Sequence, residues 1–307
     1  METLDPEGTY RMNSQCPEPG IYYDVADSVY RQWSAYSQSE IKHFRDPDLC
    51  ELEIKHKLEH PPEASDEMRL GQLVEAAVDG LDIDGGVKQL PPEIKARRGA
   101  AWQEFQKANP GVEFLPAGEF AKHRESIVIA QAMAANIHTN PYAEKLIKGA
   151  KRQVSFIADY TFTGPEGTPV TYRGKGRLDY WNEALNAIAD LKTTSRGGQR
   201  AVGGAAWNLG WDVQAAWYSD GIASLTGKQP DFYFVVCRVV PPHVVTCYNG
   251  QNTTEMAGHY IGIGRNAYQA YLCNLAECKA TGKWKGYYEP SDPDSKVLDM
   301  HLPPWAA

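Results

Sequence analysis

The sequence predicts a mixed α/β fold: a central sheet flanked by helices, with a helical elaboration ahead of it. Three observations carry this. Between Gln153 and Thr194 the chain turns β-branched and aromatic in three runs separated by turn-forming stretches; helical periodicity precedes and follows them; and a further strand follows the next helix. Helices, three strands, helix, strand is the order of a sheet whose last strand enters by a crossover.

Taken in order, the segment up to about Tyr36 is rich in Pro and Tyr without periodicity and reads as an irregular arm. Ser37-Gln38-Ser39-Glu40 has capping-box spacing, so a short helix starts there and stops before Pro47. Leu70, Leu73, Val74, Ala77 and Val78 share one helical face within Ser65 to Val78. Pro91-Pro92 opens a helical run ending at Asn109-Pro110-Gly111, and Ala117 to His138 gives another. Asn140-Pro141 through Lys148-Gly149 carries an N-cap, an N1 proline and a C′ glycine. Val154 to Phe162, Pro169 to Trp181 and Ala187 to Thr194 read as successive antiparallel strands. A Gly-rich loop, Ser195 to Gly204, leads to a helix from Ala206 to Leu225, strands Phe232 to Val240 and Val244 to Tyr248, and a helix from Glu255 to Thr281. The expected division is residues 1–64 as arm and short helices and 65–307 as one α/β domain, its chemical core about 150–240.

Length and composition agree. A chain of 307 residues, 42 % hydrophobic and 23 % charged, can bury a substantial core. The longest apolar stretch, Phe232 to Cys237, is far short of the roughly 20 residues of a membrane helix, and no signal-like segment opens the chain, so a cytoplasmic protein with no membrane partner is expected. Six cysteines are too few for a disulfide scaffold, and Cys273 and Cys278 lack the companions of an iron–sulfur site. The formal charge of −8 argues against a chain coated in nucleic acid. Yet Lys145 to Arg200 holds ten basic and five acidic residues, +5, leaving −13 for the rest, so a local anion-binding surface is expected there, with Arg177, Arg196 and Arg200 as its candidates.

The residues most suggestive of chemistry are Asp179 and, eleven positions on, Asp190-Leu191-Lys192. In a strand, i and i+2 share a face, so Asp190 and Lys192 point the same way. A hairpin brings Asp179 alongside, making two hard oxygen ligands suited to Mg²⁺ or Mn²⁺, with Lys192 placed to stabilise charge on an attacked phosphate. Taken alone, the Asp-x-Lys triplet also fits an ion pair on an edge strand. The next helix adds Gln214 and Tyr218, four apart on one face. His56-Lys57-Leu58-Glu59-His60 has the spacing of an inverted zinc-peptidase motif, but Pro61-Pro62 stops the helix where that site needs support. Gly262-Ile263-Gly264 lacks the third glycine of a dinucleotide loop.

Asp179, Asp190-x-Lys192 and Gln214-x-x-x-Tyr218 together resemble the PD-(D/E)XK nuclease superfamily in its RecB-like branch. The likeness extends through Pro19-Gly20-Ile21-Tyr22, Tyr36 to Lys42, Arg97-Arg98-Gly99, Met133 to Leu146, Val213 to Gly221, Trp284 and Leu302-Pro303-Pro304-Trp305 to the exodeoxyribonuclease VIII type of phage exonuclease, over nearly the whole chain. The resemblance implies a Mg²⁺-dependent exonuclease, with Mn²⁺ as a substitute, that acts on double-stranded DNA ends in phage-type recombination. Partners would include a single-strand annealing protein and further copies of the chain. It implies metal ligation by Asp179, Asp190 and the Leu191 carbonyl, a catalytic Lys192, and support from Gln214 and Tyr218. Two positions depart from the pattern: Glu75 stands where the family usually has histidine and is read as a possible further ligand, and Gln153 stands where relatives tend to have an acid. A non-catalytic DNA-binding or assembly module with this fold is the alternative reading.

Overall fold

Alternating apolar residues in Lys151–Thr163 (β7), Pro169–Asn182 (β8) and Ala187–Thr194 (β9) bury side chains on both faces, as a central sheet requires. They form the expected antiparallel meander, pairing Phe156 with Gly176 and Tyr180 with Ala189. Asp231–Arg238 (β10) lies parallel to β9, setting Phe234 beside Asp190 and Val236 beside Lys192, and Val245–Asn249 (β11) closes that edge. At the other edge Gly20–Tyr22 (β3) pairs with β7, while Tyr36–Ser37 (β4) runs parallel to β8 at Gly174 and Lys175. The order is β11-β10-β9-β8-β7-β3, with β4 against β8. Two minor pairs lie outside this sheet: Thr3–Leu4 (β1) with Tyr10–Arg11 (β2), and Val87–Gln89 (β5) with Glu113–Leu115 (β6). The structure, a computed structural model, describes residues 16–83, 86–94, 97–250 and 260–287 and the strands β1 and β2.

Helices cover both faces. Trp211–Thr226 (α9) and Tyr260–Thr281 (α10) pack on one side, where Phe156, Tyr160, Leu178, Trp217, Phe232 and Leu272 form the main core. Asp66–Val78 (α4), Ala117–Thr139 (α6) and Pro141–Ile147 (α7) cover the other through Val74, Met133, Ile137, Ala143, Tyr180 and Val235. Each large side chain fully buried there contributes roughly 1.5–3 kcal/mol. A Cβ on Gly176 would overlap the Phe156 ring and reach Tyr218, so glycine lets α9 lie close on β8. The two capping signals are realised: Asn140 Oδ1 accepts from Tyr142 and Ala143, and Ser37 with Glu40 forms the capping box; Ser65 Oγ also caps α4, accepting from the Met68 N–H at 3.3 Å.

Several expectations need correcting. No helix begins at Pro91-Pro92; the helical run is Ala100–Ala108 (α5). The predicted loop to Gly204 already contains Gln199–Asn208 (α8), which Gly210, at φ +70°, separates from α9. The segment read as an arm supplies two strands of the main sheet. It also contributes the helix Asp27–Gln32 (α1), and its Trp33 and Ala35 form a third apolar cluster with Ile157 of β7; beyond it the expected short helix is Gln38–Ile41 (α2), followed by Glu51–Glu59 (α3). Residues 251–259 and 288–307, including the expected helix start at Glu255 and the Leu302–Trp305 match, lie outside the described residues. Among the described residues no helix is long and apolar enough to cross a membrane.

Candidate active site

The site lies where β8 lacks a strand neighbour along one edge. That edge pairs with β4 at Gly174 and Lys175 and with β9 from Tyr180 to Asn182, leaving Gly176 to Asp179 between them. Continued, the β8–β9 register would set Leu191 against Leu178. The Leu191 N–H instead donates to Asp179 Oδ2 at 2.8 Å. A carboxylate thus takes the place of a missing ladder bond and is held against β9. In an extended strand the N–H and C=O of one residue leave by the same edge, so the Leu191 carbonyl also faces this gap.

Asp190 enters from the neighbouring position. Its Oδ1 accepts from Gln214 Nε2 of α9 at 2.7 Å, and the Lys192 ammonium stands 2.6 Å from Oδ2. Among the described residues this lysine is the only partner of the buried Oδ2, so one ammonium answers for the charge on that side of Asp190. Burial pushes the Asp179 carboxyl well up, and the charges of Asp190 and Glu75 push it further; burial likewise raises Asp190 against the pull of Lys192. Burial alone would lower Lys192, but Asp190 and Asp179 outweigh it and hold the ammonium above its ordinary range. The gap therefore collects hard oxygen atoms whose negative charge one lysine offsets only in part.

Glu75 is partly buried on α4, faces the same gap, and accepts a hydrogen bond from the Gln153 side chain. Burial, then Asp79 and Asp190, raise its carboxyl to about 7. The two departures from the family pattern are thus each other's partners. Gln153 lies opposite Asp179 with φ +49°, at a point where both strands exchange faces: Val154 and Leu178 belong to the α9 side, Tyr180 to the α4 side. Among the described residues no three His, Cys, Asp or Glu side chains form a metal-holding group, so Asp179, Asp190 and Glu75 face one gap without being gathered into one ligand set.

The α9 residues lie where the spacing placed them. Gln214 orients Asp190, and Tyr218 packs edge-on against Phe156 at 6.0 Å, its hydroxyl kept protonated by burial. Between them Trp217 Nε1 donates to the Lys175 carbonyl at 3.0 Å, fixing α9 to β8.

The basic candidates divide. Arg177 is not brought to the gap: its guanidinium donates to the Val25 carbonyl and to Asp27 at 3.2 Å and lies over Tyr30, holding the N-terminal segment to the sheet. Arg196 and Arg200 are exposed on the loop after β9 and at the start of α8. The basic residues of the surrounding window divide in the same way: Lys145, Lys148 and Lys151 are exposed like Arg196 and Arg200, and the others have partners within the protein. Arg152, Arg173 and Lys192 are engaged in ion pairs with Asp79, Asp159 and Asp190, and Lys175 donates to backbone carbonyls. Sequence reading also missed Arg45, which pairs with the fully buried Asp212 of α9 at 2.6 and 3.0 Å and so anchors the helix that carries Gln214. The only signal was an acid two positions before Gln214.

A mixed sheet with a helix-covered gap holding Asp, Asp-x-Lys and a glutamine defines a domain of the PD-(D/E)XK class. The chain belongs to the family described as PDDEXK-like domain of unknown function (DUF3799), whose model matches residues 37–290. Among solved structures it is similar to a "Putative exonuclease" from Eubacterium rectale, at 16 % identity over 92 % of this chain and 97 % of that one, with a TM-score of 0.56. At that identity the likeness establishes the fold. A second structure, SSO0001, shares 13 % identity over 69 % of this chain and 92 % of its own, and its TM-score of 0.27 carries no argument. No curated protein matches the sequence.

Proposed function

We propose that this protein is a divalent-metal-dependent deoxyribonuclease that hydrolyses duplex DNA from an end, with Mg²⁺ as the working ion and Mn²⁺ as a substitute. The observation that carries the reading is the meeting of Asp179 and Asp190 with the Leu191 carbonyl edge in one gap, where the Lys192 ammonium, 2.6 Å from Asp190 Oδ2, offsets only part of their charge. These hard oxygens suit a cation of this kind, which would relieve the burial and repulsion that now favour protonated carboxyls. Asp179, Asp190 and the Leu191 carbonyl would hold it. When bound, the ion supplies a water of lowered pKa and a Lewis acid for the phosphate.

The protein's own groups do the rest. Gln214 fixes Asp190 through Oδ1 and leaves Oδ2 turned to the gap. Lys192 stays charged beside the carboxylates and offsets negative charge growing on the attacked phosphate. Tyr218 lines the site as a neutral phenol, and Arg196 and Arg200 are available to backbone phosphates on the open side. Attack at DNA ends, a role in phage-type recombination, an annealing-protein partner and assembly with further copies rest on the family resemblance.

The test is digestion of linear duplex DNA with Mg²⁺, with Ca²⁺ and chelator as controls, for the wild type and Asp190→Ala. The expected result is Mg²⁺-dependent nucleotide release that the variant lacks. Equal release by both proteins, or none by the wild type, overturns the assignment.

A further inference from the structure

We propose that the pocket between the turn at Lys42–Arg45 and the end of α8 receives an unpaired nucleotide of the DNA end, its base on the open face of Trp207 and its phosphate between Lys42 and Lys57. This deepens the nuclease reading and rests on it. The pocket is a cavity of about 380 Å³ lined chiefly by Lys42, His43, Lys57, Trp207, Asn208 and Leu209. That is near the lower end of small-ligand sites, the scale of one nucleotide.

Trp207 is built as a platform. The Arg45 guanidinium lies 4.1 Å from the ring centre on one side and is itself locked by two bonds to the buried Asp212. The indole nevertheless remains 51 % exposed and lines the pocket together with Arg45. An aromatic plane held from behind by a fixed cation loses little freedom when a base stacks on it, and stacking tolerates any base.

The cations complete a nucleotide's requirements. Among the described residues Lys42 and Lys57 form no ion pair. Asp46, the acid in the lining, accepts from the Asp48 N–H at 3.1 Å. Two contacts link the pocket to the acidic gap: a Cβ on Gly210 would meet Arg45 and Lys42 at 3.7–3.9 Å, and the ring of the next residue, Trp211, has the Lys192 ammonium 5.7 Å from its centre. Burial and that ammonium hold Lys42 below its ordinary range. A strand whose scissile phosphate lies at Lys192 can therefore place its neighbouring nucleotide on Trp207.

The experiment measures fluorescence anisotropy of a fluorescein-labelled twelve-residue oligothymidylate with the full-length protein in Ca²⁺, alongside oligomers carrying an abasic site at each position in turn. Trp207→Ala is expected to weaken binding about ten-fold or more and Trp207→Phe less than about three-fold, as stacking predicts. Lys57→Ala, which disturbs no buried contact, is expected to weaken binding about three-fold and reduce the salt slope by about 0.7. One abasic position should weaken the wild type and leave Trp207→Ala unaffected. Wild-type binding by both Trp207→Ala and Lys57→Ala overturns the proposal, as does a loss in Trp207→Ala that is the same at every abasic position. Hydrolysis is not read in this assay. If the binding pattern appears while linear duplex stays uncut in Mg²⁺, the nuclease reading fails and the pocket stands. Cleavage without the binding pattern means the opposite: the pocket fails and the nuclease reading stands.

Discussion

Lys175 and Lys192 sit on adjacent strands of one sheet, and both are largely buried, yet they do opposite things. Lys175 donates to the carbonyls of Tyr30, Arg31 and Trp33, at 3.4, 3.3 and 2.8 Å, and burial pulls its ammonium down. It acts as a rivet between β8 and the N-terminal segment. Lys192 faces two carboxylates, which outweigh its burial and keep it charged. Neutral carbonyls immobilise a lysine, whereas an oxygen cluster with excess charge makes it part of a site. The partners decide, and the residue type does not.

Activity should separate the two most sharply. Asp190→Ala and Lys192→Ala are expected to lower DNA hydrolysis on the order of 10³-fold, while Lys175→Ala leaves the rate per folded molecule within about three-fold, read by single-turnover cleavage. A comparable loss in Lys175→Ala would erase the distinction. Stability should show the reverse emphasis. Arg45→Ala strands the buried Asp212 charge and is expected to cost about 3–5 kcal/mol in urea unfolding. Lys175→Ala leaves carbonyls without their donor and should cost about 1–3 kcal/mol.

The smallest effect belongs to Glu75. Its folded-state carboxyl is raised from an unfolded value near 4.5 to about 7, so its favourable contribution is complete below about 4.5 and is lost as pH rises to about 7. In metal-free buffer Glu75→Gln is therefore expected to stabilise the protein above pH 7 by about 1–2 kcal/mol, allowing for partial exposure, and to change little below pH 4.5. Thermal melting at pH 5 and pH 8 measures this, and an equal shift at both would contradict the burial of that acid.

What was legible in the sequence was local. The β-hairpins, the caps at Ser37 and Asn140, and the strand periodicity that sets Asp190 and Lys192 on one face all follow from residues close in the chain. The Gln214-x-x-x-Tyr218 spacing is local in the same way. What was hidden depends on partners far away. Arg177 looked free because Val25 and Asp27 lie about 150 residues earlier, and Lys175 looked like surface charge for the same reason. The partner of Glu75 was hidden in the same way: α4 presents Val74 to α6, while Glu75 beside it meets Gln153, 78 residues on, at the edge of the gap. Half of the basic residues behind the expected +5 surface, Arg152, Arg173, Lys175, Arg177 and Lys192, are taken up by partners within the protein. The open cations of the pocket, Lys42 and Lys57, come instead from the part of the chain that counted as acidic.

Isothermal titration of Mn²⁺ into the wild type and Asp190→Asn at one pH tests the central claim most directly. A metal gap between β8 and β9 predicts saturable binding by the wild type that the variant loses. Indistinguishable isotherms from two folded proteins would contradict it.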